Sequence, residues 1–206
     1  MASTVIHMAV AKRINDVLKR DYDKVLYGSI APDISQCLGE SRKYSHFLND
    51  DGLPDMNRFL EKYGNNLDDD FVLGYFIHLY TDYFWFNYFI TELVSRNVIT
   101  KLNGDSVKLN GNMLKQYIYN DYTNLNVLLI NKYSLDFEFL YSDDVRNTDI
   151  LIDEIPSDKM NVLFDKAVSI VQNSKVGKSF VFDIDNIDRF ISMSVNLILN
   201  EIKVIC

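Results

Sequence analysis

The chain has 206 residues, 48% of them hydrophobic, and a formal net charge of -8 with a pI ≈ 4.8. This length suits one domain with a full core, so a single domain over residues 1–206 is expected. The acidic balance argues against binding of long double-stranded nucleic acid, because such affinity depends on Lys and Arg side chains that neutralise phosphates.

The first residues, MASTVIHMAVAKR, contain neither a basic segment followed by an apolar one nor a small-residue cleavage site. They therefore predict a cytoplasmic protein without a secretion signal. Cys37 and Cys206 lack the CxxC spacing of a zinc site. Both are expected to remain thiols in a reducing compartment.

Helical patterns begin near the start of the chain. Ser3 or Thr4 can cap a first helix that ends near Arg20. Residues 27–35, YGSIAPDIS, are predicted to form a loop, because a glycine and a proline interrupt the helical pattern.

Acidic residues mark the next two helix starts. Asp55 can cap a short helix through Tyr63. The acids at 68–70 suit the positive end of a long helix that is expected to reach about Asn97.

The second half of the chain is also predicted to be mostly helical. Residues 98–111 contain Asn-Gly twice, which is compatible with a small hairpin or with an ordered loop. Further helices are expected at about 112–133, 157–173 and 186–203, with an acidic connection at 140–155. The prediction is an all-α, single-domain helical bundle with a possible hairpin.

Residues 71–90 are apolar and long enough to span a bilayer, which needs about 20 residues. His78 and Asp82 lie near the middle of this segment, where a carboxylate costs roughly 2.5 to 3.5 kcal/mol on insertion scales. No cluster of Lys or Arg anchors either end. These features favour a core helix over a bilayer span, so no integral membrane association is expected.

Three histidines and two aspartates are candidate metal ligands. His78 and Asp82, at positions i and i+4, lie on one face of a helix and can converge on one ion or form an intrahelical hydrogen bond. A buried ionised Asp favours the ion, because its charge needs a cation or several donors. His46 and Asp33 lie in segments between helices, whereas His7 lies beside the apolar stripe of the first helix.

Four motifs, in order, carry a family resemblance: IH in the first helix, GSIAPD, SHF and GYFIHLYTDYFW. Together they resemble segments of the zinc-dependent phospholipase C superfamily, which shares an all-helical fold with single-strand-specific zinc nucleases. The resemblance covers about residues 5–90. The C-terminal half of the chain is only loosely similar.

The resemblance implies that Asp33, His46, His78 and Asp82 bind one metal. It also implies that His7 binds a second metal, with Asp82 as the bridge. Imidazole and carboxylate ligands suit zinc best here, with manganese or iron as alternatives. A third metal is not expected, because family enzymes with three zincs have further His and Glu ligands and this chain has no histidine after His78.

Three further residues complete the candidate site. Family enzymes use the amino group of the first residue of the mature chain as a metal ligand, and this ligand is not expected here. Asp121 is a candidate to replace it at the second metal. Asp121 can also be a solvent-facing acid on a helix. Arg42 and Lys43 can neutralise a bound phosphate or can simply be solvated charges.

The expected function is hydrolysis of a small phosphoester through a metal-activated water, with Asp33 as the base that orients the water. The alternatives are a metal-stabilised binding or regulatory protein without turnover and a membrane-associated protein. The chain lacks the adjacent His-Asp doublet of HD-type phosphohydrolases, a Glu-x-x-His pair, a Gly-rich phosphate loop and a Gly-x-Ser-x-Gly elbow.

Overall fold

The computed structural model describes residues 1–95, 98–110 and 112–205 and confirms a mostly α-helical fold. The longer helices follow the predicted order. They are α1 (Thr4–Leu18), α2 (Tyr22–Ile30), α4 (Met56–Tyr63), α5 (Asp70–Phe84), α7 (Met113–Tyr133), α9 (Asn161–Asn173) and α10 (Ile184–Ile205). Among these, α2 is an additional helix that was not predicted. Helices of a single turn are α3 (Ile34–Cys37), α6 (Ile90–Leu93) and α8 (Asp143–Arg146).

The predicted caps explain where several helices begin. The side chain of Ser3 accepts a hydrogen bond from the backbone N–H of Ile6 at 3.3 Å. Asp55 and Asp69 cap α4 and α5 in the same way. Each cap satisfies a backbone donor that the first turn of a helix leaves free.

The loop predicted at 27–35 is wrong, because these residues are helical. Helix α2 continues to Ile30, and a 3-10 turn at Ala31–Asp33 leads directly into α3. Gly28 lies within α2, and its missing side chain lets α5 approach closely. A Cβ added to Gly74 on α5 would lie only 2.9 Å from the Cα of Gly28. Pro32 is tolerated because it lies in the first turn of the 3-10 segment.

The long helix expected to reach Asn97 is shorter in the structure. A π-helical segment, Trp85–Phe89, follows α5, and α6 ends at Leu93. Strand β1 (Val94–Ser95) then pairs antiparallel with β2 (Val98–Thr100). The predicted end of the helix at residues 96–97 lies outside the described residues, as does Cys206.

The possible hairpin at 98–111 is present. Strand β2 pairs antiparallel with β3 (Ser106–Lys108), and Ile99 lies opposite Val107. Ile99 is fully buried, which attaches the small sheet to the helical core.

Most of the apolar segment at 71–90 packs inside the protein, whereas Tyr88 near its end is exposed. Phe76, Phe84 and Trp85 are buried, and the indole ring of Trp85 packs edge-on against the ring of Phe190 from α10, with centroids 5.1 Å apart. Within the described ranges, no helix has both the length and the apolar character that a membrane span requires.

Helices α1, α2 and α5 form the centre of the bundle, and α7 and α10 pack against α1. The contact between α2 and α5 is close because glycines face each other across it. A Cβ on Gly28 would meet the backbone oxygen of Phe71, and a Cβ on Gly74 would meet that of Val25. The two backbones can therefore approach only where both side chains are absent.

We expect Gly74→Ala to lower the free energy of unfolding by about 1 to 3 kcal/mol, the usual cost of overpacking, because the added methyl group must push α2 away. Chemical denaturation monitored by far-UV circular dichroism measures this loss. Gly64→Ala is the matched control, since a Cβ there meets only side-chain atoms at an ordinary 3.8 Å. Equal stability of the two variants would contradict the proposed close packing.

Candidate metal centre

Five of the six predicted metal ligands meet in the core and are called the His/Asp centre: His7, Asp33, His46, His78 and Asp82. The structure groups them in two overlapping triplets that could each hold an ion. One triplet is His7, His78 and Asp82, and the other is Asp33, His46 and His78. Asp33 is 8% exposed, and the other four residues are fully buried.

Each ligand is placed by a different part of the fold. His7 lies in the first turn of α1, whereas His78 and Asp82 lie one turn apart on α5, as their spacing predicted. Asp33 ends the 3-10 turn after α2. His46 comes from the irregular segment after α3, directly before Phe47, whose φ of 51° turns the chain.

The facing ligand atoms are separated by distances that suit a shared ion. His46 Nε2 lies 3.3 Å from His78 Nε2 and 3.5 Å from Asp33 Oδ1. His78 Nε2 lies 3.9 Å from the same Asp33 oxygen. Two ligand atoms bound at about 2.1 Å in a tetrahedral zinc site are about 3.4 Å apart.

A backbone carbonyl determines the tautomer of His78. Its Nδ1 lies 2.7 Å from the carbonyl oxygen of Ser29 in α2. A carbonyl oxygen can only accept, so Nδ1 carries the proton and donates it. A neutral His78 therefore presents a lone pair at Nε2, the atom that faces the centre.

The same reasoning applies to His46 through a chain of hydroxyl groups. Ser35 Oγ donates to the carbonyl oxygen of Pro32 at 3.4 Å, and Ser35 and Ser45 hydroxyls are 2.9 Å apart. Since each hydroxyl has one proton, Ser45 donates to Ser35 and accepts from His46 Nδ1, at 2.9 Å. The Nε2 atom of His46 is then also unprotonated.

Two lone pairs consequently face each other across 3.3 Å, at the Nε2 atoms of His46 and His78. Burial lowers the pKa of both imidazoles well below the usual value. The guanidinium of Arg42 lowers the pKa of His46 further, and the neighbouring imidazole of His7 lowers that of His78. Neutral imidazole is the form that binds metals, and a cation between the two nitrogens would remove the repulsion.

Asp82 connects the two halves of the centre. Its Oδ1 lies 3.4 Å from His7 Nε2, and its Oδ2 lies 3.9 Å from His46 Nε2. Burial alone raises the pKa of this carboxyl, but the first amino group of the chain and His7 together hold the pKa well below its usual range. An ionised carboxylate with one oxygen toward each side has the shape that a bridging ligand requires.

Several polar atoms of the centre are unsatisfied. Both ring nitrogens of His7 and the Oδ1 atom of Asp33 are buried and have no hydrogen-bond partner among the described residues. Burial also raises the pKa of Asp33. Such atoms are costly unless a ligand or ion binds them, so the centre satisfies the chemical test for a metal site.

Asp121, the sixth predicted ligand, lies elsewhere, and its assignment is corrected. Its carboxylate accepts the backbone N–H groups of Phe180, Val181 and Phe182 at 2.7 to 3.2 Å. Asn120 Nδ2 donates to it as well, at 3.0 Å. Asp121 is fully buried because it anchors the segment before α10 to α7, and neither ligand triplet includes it.

The two predicted phosphate-binding residues have different environments. Arg42 Nη2 donates to Asp82 Oδ2 at 2.6 Å, so the structure brings Arg42 to the centre but pairs it with a ligand carboxylate. Lys43 is exposed and contacts none of the five ligands within the described part of the chain. Lys43 is therefore a solvated surface charge, the second of the two environments predicted for it.

Sequence reasoning missed the residues that orient the ligands. The backbone N–H of Ala2 donates to Asp82 Oδ1 at 2.9 Å, and Ser29 and Ser45 orient the two histidines. Ser45 was visible as the residue before His46 in the SHF motif. The roles of Ala2 and Ser29 carry no signal in the sequence, because their backbone groups make the contacts.

Comparison with protein-family models, with curated protein sequences and with solved structures finds no match to this chain.

We expect purified protein to take up about one to two equivalents of zinc, manganese or iron, as one or two shared sites require. Asp82→Asn should lose most of this metal, because the carboxylate faces both halves of the centre. Elemental analysis measures the stoichiometry, and added metal should raise the melting temperature of the wild type only. Wild-type protein that takes up no metal would refute the assignment.

Asp121→Asn should instead destabilise the fold and leave metal uptake unchanged. The variant has one acceptor oxygen where the carboxylate offers two, and hydrogen bonds to a charged group contribute about 1.5 to 3 kcal/mol each. We expect the free energy of unfolding to fall by at least about 2 kcal/mol in chemical denaturation. Loss of metal in this variant, at a temperature where it is folded, would restore Asp121 as a ligand.

Proposed function

We propose that this chain is a metal-dependent hydrolase that acts on a phosphoester. One observation carries the proposal: two imidazole Nε2 atoms with their lone pairs face each other beside two carboxylates in the core. The resemblance to the zinc-dependent phospholipase C superfamily supports the same function through the IH, GSIAPD, SHF and GYFIHLYTDYFW motifs.

The residues that would hold the ions follow from the geometry. Asp33, His46 and His78 form one triplet that would hold an ion, and His7 and Asp82, which share the other triplet with His78, would hold a second. The resemblance to the zinc-dependent phospholipase C superfamily implies that Asp82 would be a ligand of both ions. Their nitrogen and oxygen donors favour zinc, whereas manganese and iron are compatible with the same set.

A bound divalent ion supplies a water with a pKa near 7 and stabilises negative charge on phosphoryl oxygens. Asp33 is the ligand whose side chain is partly open, at 12% exposure, and it also lines a cleft. It is therefore placed to orient the attacking water and accept its proton. The water oxygen bonds to phosphorus as one water proton passes to Asp33, and the bond from phosphorus to the ester oxygen breaks. The proton held by Asp33 then passes to the leaving alkoxide, which departs as the alcohol.

Arg42 would contribute positive charge for the phosphoryl group. Its side chain is 21% exposed, and its guanidinium carbon lies 5.9 Å from the centroid of the Phe86 ring. Its Nε atom is buried without a hydrogen-bond partner in the described part of the structure. The guanidinium therefore retains a donor that a phosphoryl oxygen could use while another nitrogen remains on Asp82.

A metal-stabilised binding or regulatory protein without turnover is the second candidate. Arg42 and the backbone N–H of Ala2 already occupy both oxygens of Asp82, which favours a closed structural centre. In that case the ions would stabilise the fold and no ester would be cleaved.

The test measures hydrolysis of p-nitrophenyl phosphate and bis(p-nitrophenyl) phosphate by zinc-, manganese- or iron-loaded protein, with and without a chelator. We expect cleavage of at least one ester that chelation abolishes and metal restores. Asp33→Asn should lower kcat by about 100-fold or more, the typical contribution of a positioned acid or base. Metal content is measured in parallel, since Asp33 is also a proposed ligand.

Asp121→Asn is the matched control for this experiment, because it changes a buried aspartate outside the centre. It should keep kcat at a temperature where it is folded. Metal-loaded protein that cleaves neither ester would instead support the binding protein.

A further inference from the structure

A cleft of ≈ 430 Å³ lies beside the His/Asp centre, between the start of α1 and the facing sides of α7 and α9. Asp33 belongs both to the centre and to the lining of the cleft. A group attached to a phosphate at the centre would therefore extend into this space.

One residue of the cleft lining has a buried acceptor for which the described residues supply no partner. Asn126, on α7, is 3% exposed, and its Nδ2 donates to Ser174 Oγ at 3.0 Å. Its Oδ1 is buried and has no hydrogen-bond partner among the residues that the structure describes. An unpaired buried acceptor costs about 1 to 3 kcal/mol, so a ligand that brings an O–H or N–H donor to this oxygen would bind favourably.

The rest of the lining is rich in neutral hydrogen-bonding side chains. Thr4, Gln36, Thr123, Ser169 and Asn173 are among them. Apolar side chains, including Leu163, Ala167 and Ile170, cover other parts of the lining. Hydroxyl and amide side chains can both donate and accept, as the hydroxyl groups of a sugar do. Apart from Asp33, Lys166 is the charged side chain among the described lining residues, and its positive charge disfavours a cationic head group.

We propose that this cleft binds the alcohol part of the substrate and that this part is a neutral, sugar-like polyol, with Asn126 Oδ1 accepting a hydrogen bond from one hydroxyl. The assignment rests on the proposed hydrolase function. A volume of ≈ 430 Å³ is at the small end of the range for ligand pockets, about 300 to 1,000 Å³, and suits one sugar-sized group. An alkyl chain would leave Asn126 Oδ1 unpaired, which disfavours that class.

The test compares glucose 6-phosphate with n-hexyl phosphate, two phosphates of primary alcohols with the same number of carbons. Metal-loaded wild type should cleave the sugar phosphate with at least a tenfold higher kcat/KM, and phosphocholine should be a poor substrate. Asn126→Leu should lower kcat/KM for glucose 6-phosphate about fivefold to tenfold, the effect of one neutral hydrogen bond. It should leave n-hexyl phosphate unchanged.

Ser174→Ala is the control variant, because it removes the partner of Asn126 Nδ2 and keeps Oδ1 in place. It should retain the preference for the sugar phosphate. An equal loss in Ser174→Ala and Asn126→Leu would show that Asn126 acts only through its position. Equal cleavage of the sugar and hexyl phosphates by the wild type would overturn the polyol assignment.

A second readout does not depend on turnover. Saturation-transfer NMR should detect methyl α-D-glucopyranoside on metal-free wild-type protein and a much weaker signal with Asn126→Leu. Absence of the wild-type signal, or an unchanged signal in the variant, would overturn the proposed subsite. If metal-loaded protein cleaves neither these phosphates nor the two p-nitrophenyl esters while the glucoside binds through Asn126, the hydrolase proposal fails and the polyol subsite stands.

Discussion

The close contact between α2 and α5 is the constraint on which the centre depends. Gly28 and Gly74 bring the two backbones together, and the next residue of α2 is Ser29, whose carbonyl accepts the proton of His78 Nδ1. One turn after His78 on α5, Asp82 accepts the backbone N–H of Ala2, which lies just before α1. A methyl group on either glycine would push the helices apart and separate the Ser29 carbonyl from the His78 imidazole. The close glycine contact therefore determines both how the helices pack and how His78 is oriented.

The centre concentrates polar groups where water does not reach, which is stable only if the groups satisfy one another or an ion. Arg42 and Ala2 satisfy Asp82, and carbonyl and hydroxyl groups satisfy the Nδ1 atoms of His46 and His78. The Nε2 atoms of both histidines are left facing each other. This arrangement could hold a metal ion, because the hydrogen bonds that orient the rings also leave the Nε2 lone pairs free.

Much of the local structure could be predicted from residue types and spacing. Ser3, Asp55 and Asp69 cap their helices as expected, and the i, i+4 pair on α5 lies on one face. The prediction of a loop at 27–35 was wrong because Gly28 was interpreted as a helix breaker. Its actual role, close packing against Gly74, involves a residue 46 positions away that a local pattern does not reveal.

The sequence by itself determined the mostly helical fold and the five side chains of the centre, because helix periodicity and capping act over a few residues and metal-ligand chemistry depends on residue type. Tertiary structure decided the rest. It joined Asp121 to the backbone at 180–182 and directed Arg42 onto Asp82. It also placed Asn126 in the lining of a cleft, with an Oδ1 atom that has no partner among the described residues. Each of these outcomes depends on which distant donors and acceptors folding brings within about 3 Å, a distance that spacing along the chain does not specify.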